Sequence, residues 1–230
     1  MEVETCYMCE AIATSQEHAP PKVLFPELKD LGEDYRINLI TVPSCDQHNN
    51  AKSSDDEFLH FVLLLHINSN EVAKRQFDTK LLRAFQRTPT SYQRFMKEHG
   101  PVSNGKEIIA AGIRIDRLRF NEAIKRIARA LYFKNFNSKW SLRDIMVISP
   151  NFVKAQNSEL SLDLEQVNMA DNVRAFVSTE NLQGSNPEVF QCRLKYDVSG
   201  NAYATEMIFY QTVSVYTYSA TGIEGRLKNG

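Results

Sequence analysis

Apolar residues recur at helical spacing in three segments from the middle of the chain, and each segment carries a signal for its start. Ser54 to Glu57 has the pattern of a capping box before a helix over 55–66. A second helix is expected from Asn70 and a third from Asp116 to about Phe133. The third helix has an inward stripe of Leu118, Phe120, Ile124, Ile127, Ala128 and Leu131.

Strand patterns dominate the last part of the chain. Residues 188–196 and 202–218 alternate apolar and polar side chains, and the turn residues between them predict a hairpin. The second run is expected to break near Gln211 or to continue as a bent strand. Residues 144–149 predict a buried strand, whereas 151–187 give a mixed signal with Asn-rich turns. Further short elements are predicted: a strand over 36–42, a helix over 92–99 and a strand over 108–115.

Composition is that of an ordinary globular protein of the α+β class. The chain has 230 residues, of which 43% are apolar and 24% charged. Its longest apolar run, at 61–65, is far shorter than a membrane span, and its first residues do not resemble a secretory signal. A reducing, cytoplasmic setting is therefore expected. Cys192 alternates within a strand pattern and is expected to be a small buried apolar residue.

Three of the four cysteines belong to two tightly spaced pairs near the N-terminus. Cys6 and Cys9 form one pair, and Cys45 with His48 forms the other. Two side chains at this spacing can bind one ion from a single turn, so the four residues make a closed Cys₃His set for structural zinc. The long segment between the pairs indicates a zinc-stapled subdomain.

The segment that joins the pairs carries Glu17-His18-Ala19-Pro20 and later Asn38-Leu39, and Asn49-x-x-Lys52 follows the second pair. In order and type these parts resemble the HNH endonucleases, the ββα-metal nucleases. Many members have Cys where His48 stands and Asp where Glu17 stands. The resemblance implies an N-terminal ββα-metal zinc module, a function as a DNA endonuclease, and a role for Asn38 in fixing the loop that bears His18.

The chemistry of these residues suits hydrolysis of a phosphodiester. A histidine such as His18 can take a proton from water near neutral pH. Glu17 and the amide oxygen of Asn49 are ligand types for one catalytic Mg²⁺ or Mn²⁺. Other interpretations stay open. Taken alone, His18 could be an ordinary surface or core histidine, and Asn38 could be a turn residue. Asn49 could serve only to cap or close the knuckle. If the register of the motif shifts by one residue, Asn50 takes the position that the resemblance gives to Asn49.

Charge is unevenly distributed along the chain. Residues 58–150 hold 17 basic and 7 acidic residues, whereas residues 1–57 hold 4 basic and 12 acidic ones. A basic block beside a nuclease-like motif favours contact with a phosphate backbone, although such charges also solvate outer helix faces. The candidate nucleic-acid-binding residues are Lys52, Arg117, Arg119, Lys125, Arg126 and Arg129.

The sequence thus predicts three regions: a zinc-stapled nuclease module at 1–57, a basic helical region at 58–138 and an antiparallel β-rich region at 139–230. The last region is expected to complete the core, shape specificity or form an oligomer interface, which leaves a homodimer open. The expected substrate is double-stranded DNA, although the same chemistry would act on RNA. The alternative is a catalytically inactive zinc-structured module that binds nucleic acid or another protein.

Overall fold

The computed structural model describes residues 4–50, 53–66, 69–87, 116–140, 144–152, 154–156, 159–161, 163–199 and 201–220. Helices and antiparallel sheets both contribute, so the α+β class is confirmed. Lys52, the predicted helix over 92–99 and the predicted strand over 108–115 lie outside the described residues. None of the described helices combines the length and apolar composition that a membrane crossing requires.

The N-terminal part is a small antiparallel hairpin followed by a short helix. Strand β1 (Ser15–His18) pairs with β2 (Thr41–Ser44), and helix α2 (Asp46–Asn50) follows directly. The long connection contains a 3₁₀ turn (Lys22–Leu24) and helix α1 (Leu28–Leu31). The predicted strand over 36–42 is confirmed only at its end, where β2 begins at Thr41. Its first part is wrong, because residues 35–38 form turns and Asn38 takes a left-handed φ of 52°.

The helices of the middle region lie close to their predicted positions. Helix α3 spans Ser53–Leu64, so Ser54 lies inside its first turn and is not the N-cap. Helix α4 (Glu71–Gln76) continues through a π-helical turn (Phe77–Leu81) into α5 (Leu82–Arg87). Helix α6 spans Arg117–Phe136. The predicted helix starts at Asn70 and Asp116 are confirmed, and each of these side chains caps its helix by accepting a hydrogen bond from an amide of the first turn.

A five-stranded antiparallel sheet forms the C-terminal part, in the order β3-β9-β8-β7-β6. Its strands are β3 (Met146–Ile148), β6 (Gln183–Asn186), β7 (Phe190–Asp197), β8 (Ala202–Phe209) and β9 (Val213–Ala220). The predicted hairpin is β7–β8, and the predicted break falls at Tyr210 and Gln211, which both have positive φ. A separate short hairpin joins β4 (Lys154–Gln156) to β5 (Glu159–Ser161).

One sheet face packs against the middle helices and the other against helix α7 (Leu164–Val177). The main core draws on all three regions of the chain, with Leu24, Phe58, Phe120 and Tyr203 among its members. Cys192 is fully buried in this core, as its alternation predicted. The connection between the hairpin strands therefore joins the main core through Leu24, whereas Val42 of β2 packs beside Ala130 of α6 in a smaller cluster with Cys6 and Cys45.

A buried polar chain ties these elements together. His60 of α3 lies 2.8 Å from Gln76 Oε1, and the Gln76 amide donates to the Leu24 carbonyl at 2.8 Å. The Tyr210 hydroxyl donates to the same carbonyl at 2.8 Å. Because each of these buried groups has a partner, this row of hydrogen bonds fixes how α3, α4, the 3₁₀ turn and the sheet pack together.

The His60 imidazole is expected to make the fold sensitive to acid. Burial and the nearby Lys80 charge lower the pKa of His60 from 6.5 to about 3, although the bond to Gln76 opposes this. In the unfolded chain the His60 imidazole therefore binds a proton at a pH where the folded protein keeps it neutral. The free energy of unfolding falls as pH falls below 6.5. Between pH 7 and pH 5 this single group should contribute a loss of about 2 kcal/mol in the free energy of unfolding.

Urea unfolding of the wild type and of His60→Gln at both pH values measures this effect. Any contribution of the cysteine cluster to the pH dependence is common to both proteins and cancels in the difference. The variant should lose less stability on acidification than the wild type. Equal losses in the two proteins would show that His60 does not titrate in this way.

Candidate metal centre and adjoining cleft

The first pair of sulfur ligands sits on a tight knuckle at the start of the chain. Thr5 and Ile12 form an isolated antiparallel bridge, and the Cys6 amide donates to the Ala11 carbonyl at 2.9 Å. The Tyr7 amide donates to the Pro43 carbonyl at 2.9 Å, which fastens the knuckle to β2. Cys6 and Cys9 are thereby brought towards the end of β2.

The second pair is presented by helix α2. The amides of His48 and Asn49 both donate to the Cys45 carbonyl, at 3.0 and 2.9 Å. Cys45 therefore lies at the helix start and His48 one turn later, on the same side. This places the His48 ring beside the three sulfur atoms.

The four ligand atoms all lie within 4.8 Å of one another, close to the spacing of a tetrahedral zinc site. Zinc at about 2.3 Å from sulfur and about 2.0 Å from nitrogen would separate two sulfurs by roughly 3.8 Å and a sulfur from a nitrogen by roughly 3.5 Å. The Cys9 and Cys45 Sγ atoms are 3.8 Å apart. His48 Nδ1 lies 3.4, 3.6 and 3.3 Å from the sulfurs of Cys6, Cys9 and Cys45.

This cluster confirms that the four predicted ligands come together and could hold a metal ion. Burial opposes ionisation of Cys6, but amide donors from Met8, Cys45 and Cys9 and the His48 ring lower the pKa of its thiol to about 6. A thiolate is the form that binds metal, so the local backbone favours a ligand. Cys₃His chemistry and a closed set of four ligands fit structural zinc.

A small cleft lies between the hairpin and the middle helices. His18 and Glu17 of β1 line it, and Asp56 of α3 and Arg126 of α6 lie across from them. Ala19, Pro21, Ala123 and Ile127 complete the lining. The cleft combines an imidazole, two carboxylates and a guanidinium, which is a set that can move protons and bind a phosphate.

Glu17 is the most enclosed of these groups, with 3% of its surface exposed. The Tyr7 hydroxyl donates to its Oε1 and the Ser44 hydroxyl to its Oε2, both at 3.1 Å. Burial and the Glu17 charge raise the pKa of Tyr7, so this hydroxyl keeps its proton and remains a donor. The carboxylate is therefore held from two sides.

The two asparagines of the predicted site lie in different surroundings. The Asn49 amide donates to the Ser15 hydroxyl at 2.8 Å, and that hydroxyl donates to the Ser44 carbonyl at 3.3 Å. Asn49 is thus tied to the same hairpin face as Glu17. Asn38 is exposed and lines another groove, with Ile40, Gly184 and Asn186. The structure places His18 and Glu17 in the cleft, whereas Asn49 is tied to the hairpin through Ser15 without lining the cleft, and Asn38 lies in the other groove.

Several of the basic residues are engaged within the chain. Arg119 and Arg126 both bind the carboxylate of Asp55, and Arg119 also lies over the Phe58 ring at 4.6 Å from its centroid. Lys125 pairs with Glu122 at 2.9 Å, and Arg117 donates to the Phe152 carbonyl at 3.4 Å. Arg129 is half-buried on the same helix. Of these five, only Arg126 lines the cleft.

No protein-family model, curated protein or solved structure matches the chain. Its function must therefore be argued from the cluster and the cleft themselves. Within the part of the chain that the structure describes, the Cys₃His cluster is also the only group of three or more His, Cys, Asp or Glu side chains placed to hold a metal.

Sequence reasoning missed Tyr7, Ser44 and Asp56 as members of the site. Tyr7 and Ser44 are direct neighbours of the ligands Cys6 and Cys45, and that adjacency was the only signal for them. Asp56 follows Asp55 in the first turn of α3, where acidic residues are expected for their effect on the helix end. Its place in the cleft follows from the packing of α3 beside the hairpin.

Proposed function

We propose that the chain is a metal-dependent endonuclease that hydrolyses phosphodiester bonds of DNA, with His18 as the general base. The observation that carries this proposal is the shared cleft of His18, Glu17 and Arg126, built on a hairpin that adjoins the Cys₃His cluster. The order of the two ligand pairs, of Glu17-His18-Ala19-Pro20 and of Asn49 along the chain resembles that of the HNH endonucleases, which motivates the choice of reaction.

Each group of the cleft has a role in this reaction. The His18 imidazole takes the proton of the attacking water, and the Arg126 guanidinium binds a phosphate oxygen. Glu17 and the Asn49 amide oxygen are the residues that would hold a divalent cation, which stabilises the charge that develops on the phosphate. Mg²⁺ commonly needs only one or two carboxylates because it keeps several waters, and Glu17 supplies the carboxylate in this proposal.

The zinc cluster has a separate role in this account. Four protein ligands fill a tetrahedral site and leave no position for water or substrate. The cluster therefore stabilises the knuckle, β2 and α2, and the reaction takes place in the cleft beside it.

The proposal is tested by incubating supercoiled plasmid with zinc-loaded wild-type protein in Mg²⁺, Mn²⁺ or EDTA. Nicked or linear product in at least one metal, lost in EDTA, is the expected result. A folded, zinc-loaded protein that leaves DNA intact in both metals would overturn the proposal for DNA, and the same assay on RNA would then test the remaining substrate.

A second candidate function is a zinc-structured nucleic-acid-binding module without catalysis. The burial of Glu17 favours it, since both carboxylate oxygens already accept bonds from hydroxyl groups. This module would bind DNA with a steep dependence on salt and would show no cleavage in any divalent ion. Gel shifts at increasing salt, run beside the plasmid assay, separate the two functions.

Arg126→Gln should weaken binding of a DNA duplex and slow its cleavage, each by roughly tenfold, because a charge-assisted bond to phosphate is lost. Arg119→Gln is the matched control. It removes an equal charge from the same helix and the same Asp55 carboxylate, but Arg119 does not line the cleft. Its effect should stay below about threefold.

Equal effects of the two substitutions would show that Arg126 acts through general charge or through Asp55, and not by contact with phosphate. The comparison is made by fluorescence anisotropy with a labelled duplex in EDTA for binding, and under single-turnover conditions for cleavage. Circular dichroism confirms that both variants are folded.

A further inference from the structure

Residues beside the zinc ligands converge on a single carboxylate. Tyr7 follows Cys6 in the chain, and Ser44 precedes Cys45. Their hydroxyls donate to the two different oxygens of Glu17, each at 3.1 Å. The two halves of the zinc cluster, which come from distant parts of the sequence, thus hold one side chain between them.

All three side chains are enclosed, so the arrangement is fixed by packing as well as by hydrogen bonds. Tyr7, Ser44 and Glu17 are exposed by 1%, 0% and 3%. The Tyr7 amide is bonded to the Pro43 carbonyl, which ties the knuckle to the strand that carries Ser44. A shift of the knuckle relative to β2 would therefore move both donors at once.

We propose that Tyr7 and Ser44 are positioning residues that hold the Glu17 carboxylate in the cleft, so that the zinc cluster sets the geometry of the reaction site. This inference rests on the proposed function, because it assigns a role to the carboxylate of that same site. It adds that zinc does more than stabilise the fold: loss of the ion would release both donors from Glu17.

A purely structural role makes a different prediction. Hydroxyl groups that only satisfy a buried carboxylate would change the free energy of unfolding, but neither the cleavage rate nor the Mn²⁺ affinity of the folded protein. Positioning residues act through Glu17, so their effect on both should vanish when Glu17 is replaced. A double-mutant cycle shows whether the effect passes through Glu17, and Mn²⁺ binding by the folded protein separates positioning from stability.

The test uses Tyr7→Phe and Ser44→Ala, each in the wild-type and in the Glu17→Gln background. Each single substitution should reduce the cleavage rate at limiting Mn²⁺ by roughly tenfold, as expected for a residue that orients a ligand. In the Glu17→Gln background neither should reduce it further. Tyr203→Phe is the matched control, since its buried hydroxyl has no hydrogen-bond partner among the described residues. It should leave the rate unchanged.

Binding of Mn²⁺ alone, followed by electron paramagnetic resonance on zinc-loaded protein, gives a readout that does not need the reaction. Tyr7→Phe and Ser44→Ala should each weaken Mn²⁺ binding by roughly tenfold and keep their zinc. Weaker binding in a protein that does not cut DNA would uphold the positioning role while the nuclease proposal fails. Unchanged Mn²⁺ binding in both variants, or no Mn²⁺ binding by the wild type, would overturn the inference.

Discussion

Replacing His18 with alanine is expected to reduce the rate of DNA cleavage by roughly 10³-fold, because general-base catalysis of this kind contributes two to four orders of magnitude. The side chain lies half-buried at the end of β1, outside the main core, so the fold should survive the substitution. Single-turnover cleavage of a labelled duplex measures the rate, and the zinc content and melting temperature of the variant are checked in parallel.

Gln16→Ala is the matched control for this substitution. Gln16 lies on the same short strand, is exposed, and does not line the cleft. Its removal should change the rate by less than about twofold, since surface substitutions of this type have small effects. A folded His18→Ala protein that cut at the wild-type rate would place the general base elsewhere.

Replacing Cys45 with alanine is expected to abolish stoichiometric zinc binding and to destabilise the N-terminal hairpin. Zinc modules couple on the order of 10 kcal/mol of binding free energy to folding, so the loss in stability should exceed about 3 kcal/mol. The melting temperature should fall, and cleavage should fall with it because the knuckle and β2 carry the donors to Glu17. Zinc content is measured by atomic absorption and stability by urea unfolding.

Cys192→Ala distinguishes loss of a ligand from loss of a buried cysteine. Cys192 is buried, as Cys6 and Cys45 are, but lies in the main core on β7, away from the cluster. This variant should keep its zinc and lose only about 1 kcal/mol, the cost of a small cavity. Full zinc occupancy in Cys45→Ala would contradict the assigned ligand set.

The four residues of the Cys₃His cluster could be predicted from the sequence because their geometry is largely local. Two side chains at the spacing of Cys6 and Cys9 can meet at one ion from a single turn, and Cys45 with His48 does the same from a helix start. Only the meeting of the two pairs is long-range, and the chemistry of the ligands made that meeting a reasonable expectation.

Elements that depend on distant contacts were harder to predict. The strand expected over 36–42 begins late, because a left-handed residue at Asn38 interrupts the extended backbone and pairing with β1 starts only at Thr41. Helix α7 was not predicted, because its apolar residues are spaced among Asn, Gln and Asp side chains. Packing against the outer sheet face, through Ala170 and Val173, stabilises it.

The residues that meet in the cleft were also hard to predict from the sequence. Asp55 and Asp56 could be explained by the preference for acidic residues at a helix start. The arginines of α6 could be explained as charges on a solvent-exposed helix face. Their contacts cross long stretches of sequence: Asp55 binds Arg119 and Arg126, and Asp56 lies opposite His18. The counts of basic and acidic residues showed that the middle region is positively charged, but they could not show which arginine faces the cleft.

The central claim, that the His18 imidazole acts as the base in this cleft, is tested most directly by chemical rescue. Glycine at position 18 should leave a gap at the hairpin end in which free imidazole can act in place of the side chain. Single-turnover cleavage by His18→Gly should be very slow alone and should rise with imidazole concentration, whereas the wild type should not respond. Wild-type cleavage rates in His18→Gly without imidazole would contradict the account.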